Sequence, residues 1–329
     1  MKNFWKKLPE PFFALAPMAN VTDSVFRKMI AKYGKPDVMW TEFVSADGLA
    51  SAGRPKLLHD LKFSKAERPI VAQLFTGKPE AMREAAALIL KLGFDGLDIN
   101  MGCPDRAVEK NGGGAAMMKN QKLALEILKA AREGVKNSLP VSVKTRLGYN
   151  KIDRDWIRLL LEQRLPALTV HLRTRKEMSD VPAHWESMPE IVKMRDQTSP
   201  ETLIIGNGDA ESLEAGRELA ERYGCDGVMI GRGIFGKPWL FANEAKSKKR
   251  GTAVSPTPSF RLKAMVEHAK LFEKAFKGIK SFDVMKKHFK AYASGWDGAK
   301  ELRVRLMGAH SAKEAADIVH TANAETPFL

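Results

Sequence analysis

Short apolar runs recur along the first 230 residues, at Phe12–Ala16, Val38–Val44, Pro69–Phe75, Phe94–Ile99, Pro140–Thr145, Ala167–Leu172, Thr202–Ile205 and Asp226–Ile230. Most are continuous rather than alternating, so the strands they predict are covered on both faces, as in a parallel sheet. Between them lie segments with apolar residues at helical spacing: Ser24–Tyr33, Pro79–Leu92, Lys122–Val135, Asp153–Gln163 and Ala210–Tyr223. Several open on a cap or a first-turn proline, with Thr22 or Asp23 before the first and Pro79 starting the second. Eight strand–helix units in about 235 residues match a (β/α)8 TIM barrel in count and size. An open doubly wound sheet alternates in the same way, and spacing alone does not exclude it. No G-x-G-x-x-G opens a helix after the first strand, which argues against a dinucleotide-binding sheet. Lys246–Pro258, rich in Lys, Ser, Thr and Pro, reads as an exposed linker. Beyond it Ser259–Phe276, Phe282–Ala293, Lys300–Met307 and Ala312–Thr321 read as helices with no strand pattern among them. The expected organisation is α/β: a barrel over residues 1–245, a linker over 246–258 and a small all-helical domain over 259–329.

Composition sharpens this picture in three ways. Apolar residues make up 44% of the 329, enough for a substantial core. Two cysteines, Cys103 and Cys225, are too few for a disulfide framework and suit a reducing cytoplasm. No leader-like apolar stretch follows the basic first residues, and no run approaches the roughly 18 apolar residues of a membrane span, so no membrane partner is expected. The net charge is +15, and residues 246–329 alone carry 17 Lys and Arg against 8 Asp and Glu. A basic excess concentrated there suits a polyanionic partner, although surface charge that only solubilises is an equal alternative.

Chemistry should collect at the C-terminal ends of barrel strands, and polar groups do fall there. The first run ends in Ala16-Pro17-Met18-Ala19 and the second near Glu42. The next three give Gln73, then Asn100 and Cys103, then Lys144 and Arg146. The last three give His171, Arg173 and Arg175, then Gly206-Asn207-Gly208-Asp209, then Gly231-Arg232-Gly233. Asp98-Ile-Asn-Met-Gly-Cys-Pro-Asp105 is the most informative stretch, because it puts a thiol on a loop just past a strand end. A free cysteine is otherwise often a small buried hydrophobe. Glycines after the last two strands let backbone N–H groups approach a phosphate, and Arg232 adds charge, although tight turns use glycine anyway. Lys144 sits between Val143 and Thr145 and should meet an anion or polar ligand, unless it snorkels out. His171 could equally be hydrogen-bonded in the core. In the tail, Lys286, Lys287, His288 and Lys290, with Arg303 and Arg305, could bind phosphates, while Phe282, Phe289, Tyr292 and Trp296 read as bundle core rather than stacking platforms. No metal is expected.

Together these stretches resemble the tRNA-dihydrouridine synthase family. The likeness runs through Ala16-Pro-Met-Ala-Asn-Val-Thr-Asp23, Val71-Ala-Gln-Leu-Phe75, the Met-Gly-Cys-Pro element, Val143-Lys-Thr-Arg146, Val170-His-Leu-Arg-Thr-Arg175, Gly206-Asn-Gly-Asp209 and Gly231-Arg-Gly233. Met285-Lys-Lys-His288 and Glu301-Leu-Arg303 resemble the family's helical domain. The resemblance implies an FMN-dependent enzyme that uses NADPH to reduce the C5–C6 bond of a uridine in tRNA. It implies hydride delivery to C6 and a proton from Cys103 to C5. It implies that Pro17, Met18, Ala19 and Gln73 contact the flavin ring, with Lys144 and His171 near it. Asn207, Gly208, Asp209, Gly231 and Arg232 would hold the ribityl and phosphate groups. Substrate contacts would come from Asn100, Arg146, Arg173 and Arg175, and from Lys286, Lys287, His288, Arg303 and Arg305 in the tail. A monomer in the cytoplasm is expected. The chain departs from the family's usual pattern at Leu172, Arg106, Gly112–Ala116 and Asp180–His184. Two other readings remain: a flavin barrel acting on a free pyrimidine or enone, and a non-catalytic RNA-binding protein.

Overall fold

A computed structural model describes residues 3–242 and 257–325. Eight parallel strands run β1 (Phe12–Leu15), β2 (Met39–Ser45), β3 (Ile70–Phe75), β4 (Gly96–Met101), β5 (Val141–Arg146), β6 (Ala167–His171), β7 (Leu203–Asn207) and β8 (Gly227–Ile230). Their order is β1-β8-β7-β6-β5-β4-β3-β2. The ring closes because β1 also bridges to the chain entering β2: Ala14 pairs with Val38, and Leu15 N donates to Val38 O at 3.1 Å. This closure excludes the open sheet and establishes the (β/α)8 barrel.

Helices of eight or more residues are numbered here in chain order. They are α1 (Ser24–Tyr33), α2 (Pro79–Leu92), α3 (Gln121–Gly134), α4 (Arg154–Glu162), α5 (Met188–Thr198), α6 (Leu213–Tyr223), α7 (Pro258–Phe276), α8 (Val284–Tyr292), α9 (Ala299–Met307) and α10 (Ala312–Glu325). Local chemistry sets their ends. Pro79 starts α2, Gly93 in the left-handed region (φ 77°) ends it, and Asp153 caps α4 by accepting from Trp156 N at 3.0 Å. None of the described helices is long and apolar enough to cross a membrane.

The barrel interior changes character along its axis. Because side chains alternate across a strand, one set from each strand points inward. At the N-terminal end that set is apolar: Phe12, Ala14, Val38, Trp40, Val71, Ala167, Ile205 and Met229 form one cluster with Trp5. Trp5 lies on a short 3-10 turn, Phe4–Lys7, that precedes β1 and stoppers this end, its ring 6.1 Å from Phe12 and 5.8 Å from Trp40. Each such large side chain contributes about 1.5–3 kcal/mol through burial. At the C-terminal end the inward set is polar.

The chain divides into two compact units, residues 1–24 with 36–231, and residues 25–35 with 232–329. The second unit therefore starts at Arg232, earlier than the break near 245 expected from sequence, and it takes in most of α1. The reason lies in that unit's own core: Phe26 of α1 stacks on His268 at 5.0 Å, and Lys32 Nζ donates to Glu267 at 2.6 Å. Of the expected linker 246–258, residues 246–256 lie outside the described residues.

Candidate active site

β4 supplies the centre of the site. All six of its residues are buried, yet two of them, Asp98 and Asn100, are polar and point inward. Register places Gln73 of β3 beside Asp98, and Lys144 of β5 beside Asn100. The side chains then link in series. Ser142 Oγ donates to Asp98 Oδ1 and Gln73 Nε2 donates to Asp98 Oδ2, both at 2.6 Å. Asn100 Nδ2 donates to Gln73 Oε1 at 3.0 Å. Asn100 Oδ1 in turn accepts from Gly102 N at 3.1 Å and Cys103 N at 2.9 Å. A hydrogen-bonded line thus runs from a carboxyl on the barrel floor to the backbone that carries the thiol. Burial pushes Asp98 up to about 6, against the pull of Gln73, Ser142 and the Lys144 charge.

Cys103 is half-buried, whereas Cys225 is buried with a thiol pushed up to about 11, chiefly by desolvation. Burial also raises the Cys103 thiol, and outweighs a backbone hydrogen bond from Asp105 that lowers it; the Asp105 charge raises it further, while Arg146 and Lys144 lower it. The thiol is therefore protonated at neutral pH and has a proton to give. Its loop is also braced. Ala115 N donates to Cys103 O at 2.9 Å, a close approach that requires Gly114 (φ 59°), since a Cβ there would sit 2.6 Å from that oxygen.

Lys144 Nζ donates to Asn207 Oδ1 at 3.0 Å, and Asn207 Nδ2 donates to Met229 O at 2.8 Å, which fixes the amide's orientation. Among the described residues that is the only hydrogen bond to the three N–H groups of Lys144. Burial, then the neighbouring Arg146 charge, pushes Lys144 down to about 8, against Asp98 and Cys103. His171 stands level with Asn207 across the β6–β7 pairing, its Nε2 3.2 Å from Arg173. At the β1 end, Met18 N donates to Thr22 Oγ1 at 2.9 Å, holding the Pro17-Met18-Ala19 turn. Gly231 lies against that turn: a Cβ there would meet Ala16 Cβ at 3.6 Å and Met18 Sδ at 3.7 Å. Gly208 has φ 134°, and its carbonyl accepts from Trp185 Nε1 at 2.9 Å. Arg232 opens a 3-10 turn in the second unit.

The structure gives three arginines duties other than reaching outward. Arg146 is buried, its Nε donating to Gly102 O at 2.8 Å and its Nη1 to Thr174 O at 3.0 Å and Met178 O at 2.8 Å. Arg173, also buried, forks onto both oxygens of Asp209 at 2.6 Å and donates to Val181 O. Asp209 additionally accepts from Ala183 N at 2.8 Å, so it ties the loop after β6 to the end of β7. Arg175 pairs with Glu109. Arg146 and Arg173, both expected as substrate contacts, are buried here and brace the strand-end loops.

In the helical unit His288, expected among the RNA contacts, is buried. Met285, His288, Phe289 and Tyr292 form the buried stripe of α8, and the His288 ring lies 4.7 Å from His268 and 4.9 Å from Phe26. Neither ring nitrogen of His288 has a hydrogen-bond partner among the described residues. Helical periodicity, which the basic cluster obscured in sequence, decides its place. Arg303 is part-buried and donates to Ala293 O at 2.8 Å, at the C-terminal end of α8. Lys286 pairs with Asp283 at 2.6 Å, Lys287 is part-exposed and Arg305 is exposed.

Sequence reasoning passed over Asp98, Ser142, Glu109 and Trp185. Asp98 carried a signal, a carboxylate inside an otherwise apolar strand. The others depend on pairings across strands. The atypical Leu172 is buried; its N donates to Asn207 O and its O accepts from His184 N.

Gln73, Asn100, Lys144, Arg146, His171 and Asn207 stand toward the C-terminal ends of parallel strands, the arrangement of a barrel enzyme. The sequence matches the family described as "Dihydrouridine synthase (Dus)" over residues 14–326. "Probable tRNA-dihydrouridine synthase" of Staphylococcus aureus (strain COL) is 44% identical over 321 residues, covering 95% of this chain and 94% of that protein. "Probable tRNA-dihydrouridine synthase 2" of Bacillus subtilis (strain 168) is 43% identical over 316 residues, with coverage of 95% and 94%. The chain belongs to the dihydrouridine synthase family, and its reaction, dihydrouridine formation, makes it an oxidoreductase. Among solved structures, histamine dehydrogenase from Rhizobium sp. 4-9 is similar with TM-score 0.53 at 13% identity, covering 79% of this chain and 48% of that one. A 2-naphthoyl-CoA reductase complex has TM-score 0.52 at 12% identity, covering 73% and 50%. This chain spans about half the length of each, and the likeness is one of fold alone.

Proposed function

We propose that this protein reduces the C5–C6 bond of uridine in tRNA, with FMN as its cofactor and NADPH as the source of electrons, and that Cys103 provides the proton for C5. The observation that carries the reading is Cys103 itself: a thiol at the barrel mouth, kept protonated by burial and held by backbone bonds on both its N and its O. A general acid must hold its proton and stay within hydrogen-bond reach of the atom it protonates.

The mouth suits a flavin on one point above the rest. Lys144 keeps a buried ammonium with one hydrogen-bond partner among the described residues, so it has donors to offer an electron-rich ring edge. Gln73, pinned by Asp98 and Asn100, and the Pro17-Met18-Ala19 turn would line the ring, with His171 beside Lys144. The bare backbone at Gly208 and Gly231, with Asp209, Asn207 and Arg232, would take the ribityl and phosphate groups. Bound there, FMN supplies the hydride for C6 of the pyrimidine. The protein's residues do the rest: Lys144 holds positive charge where negative charge develops, Asn100 fixes the loop, and Cys103 releases its proton to C5. The uridine must leave its stack to reach the mouth. Lys286, Lys287 and Arg305 would contact backbone phosphates, which carry affinity but no sequence information. A monomer in the cytoplasm fits this role.

Cys103→Ala tests the reading. The purified variant should stay yellow with bound flavin, while dihydrouridine formation on cellular tRNA falls by about 10²- to 10⁴-fold, the usual worth of a positioned acid. Product formed at the parental rate would remove Cys103 from the reaction, and a wild-type protein that neither carries nor takes up flavin would remove the cofactor.

A further inference from the structure

We infer that the Arg175–Glu109 ion pair positions the Cys103 thiol, so that Arg175 serves the proton transfer rather than gripping RNA. The inference rests on the proposed role of Cys103 as the proton donor. The loop's bonds fall in two groups. On the strand side, Asn100 holds Gly102 N and Cys103 N, Arg146 holds Gly102 O and Ala115 holds Cys103 O. On the far side, Pro104 has no N–H to donate, and Asp105 caps the short helix Arg106–Lys110 by accepting from Ala107 N at 2.8 Å. The bond that reaches this side from another strand-end loop is Arg175. Its Nη2 donates to Pro104 O at 3.3 Å, and its Nε lies 3.1 Å from both oxygens of Glu109, one turn further on.

The pair is built to hold. Glu109 is 12% exposed and Arg175 24%, so solvent screens them incompletely. Burial alone would raise Glu109, but the Arg175 and Tyr149 hydrogen bonds and the Arg175 and Lys119 charges together hold it below the usual carboxylate range. The Arg175 guanidinium lies 5.5 Å from the centre of the Tyr149 ring, and Lys119 Nζ lies 4.2 Å from it. Arg175 N donates to Gly148 O at 2.8 Å, which anchors the residue's own backbone to the loop after β5. One side chain from the β6 loop therefore crosses to the β4 loop while leaning on the β5 loop. A fork that makes parallel bonds to a carboxylate fixes direction as well as distance. An acid displaced by about 1 Å loses on the order of 10² in rate.

The experiment uses flavin-loaded enzyme and unmodified tRNA, with Glu109→Gln, Arg175→Gln, the double variant, Arg175→Lys and Cys103→Ala measured side by side. Glu109→Gln keeps the shape of the side chain and guards against misfolding in the arginine variants. Positioning predicts that Glu109→Gln and Arg175→Gln each lower kcat for uridine reduction about 10- to 100-fold. KM for tRNA should change less than about twofold, and flavin reduction by NADPH should not change. The double variant should lose no more than the worse single one, because the two residues act as a unit. Arg175→Lys should not restore kcat, since an ammonium cannot fork. Alkylation of Cys103 by iodoacetamide should speed up several-fold in both single variants, with Cys225 buried and slow. The inference is overturned if Arg175→Gln raises KM and flattens the salt dependence by about one phosphate contact while Glu109→Gln leaves kcat intact, which is the signature of an RNA contact. It is also overturned if the single losses add. Failure of the underlying reading looks different: Cys103→Ala then keeps the parental rate.

Discussion

Two regions of this molecule bury titratable side chains, and they treat them in opposite ways. Inside the barrel Asp98 has two donors, Lys144 has an acceptor, and Gln73 and Asn100 link Asp98 to the thiol loop. In the core of the helical unit, His268 and His288 sit fully buried against Phe26, with both nitrogens of His288 and Nε2 of His268 unpartnered among the described residues. The Tyr292 hydroxyl lies 3.5 Å from His268 Nδ1. Partnered groups with donors to spare are poised for a ligand. Unpartnered neutral imidazoles pack as aromatic rings and make the unit depend on staying uncharged.

Three measurements can break or sharpen this contrast. The largest effect is expected at Lys144. Lys144→Met should lower uridine reduction about 10²- to 10³-fold, in line with loss of one preorganised donor, while thermal stability holds or rises because a buried charge is gone. A large fall in Tm instead would mean that Lys144 is structural. Next come the histidines. Burial lowers His268 to about 3 and, with the charges of His268 and Lys287 adding, lowers His288 well below its ordinary 6.5. The unfolded chain then binds protons before the folded one, so stability is fully present above about pH 6.5 and falls with acid toward the folded pKa, by about 1.4 kcal/mol per pH unit for each histidine. Denaturant unfolding of His288→Phe should show a shallower loss between pH 6.5 and 5 than the parent. Equal slopes would mean that the rings are solvated. The smallest effect belongs to Arg303→Ala, which frees the carbonyl of Ala293 and should cost about 1 kcal/mol in urea unfolding without changing tRNA affinity. A marked loss of affinity would instead support Arg303 as an RNA contact.

The strands were legible because buried parallel strands are nearly all apolar, and the errors have a direction. The run read as Phe94–Ile99 is the strand Gly96–Met101, Pro140–Thr145 is Val141–Arg146, and Thr202–Ile205 is Leu203–Asn207. Each true strand runs on through an inward polar residue (Asn100, Arg146, Asn207), because the ladder bonds the backbone whatever the side chain is. A hydrophobic pattern therefore stops short at the end where chemistry sits. The helix Met188–Thr198 went unread because its buried face includes Arg195, which is neutralised by Asp226 at 2.8 Å. Strand-end residues could be named from sequence, but their partners could not. That Arg173 meets Asp209 and Arg175 meets Glu109 depends on which loops the closed ring brings side by side.

The 3-10 turn at Phe4–Lys7 has a kinetic consequence. With Trp5 corking the far end, the tube has one doorway, and whatever visits Lys144 must leave the way it came. A reductant and a nucleic acid that both need that doorway have to take turns, so each should act as a competitor of the other when supplied in excess.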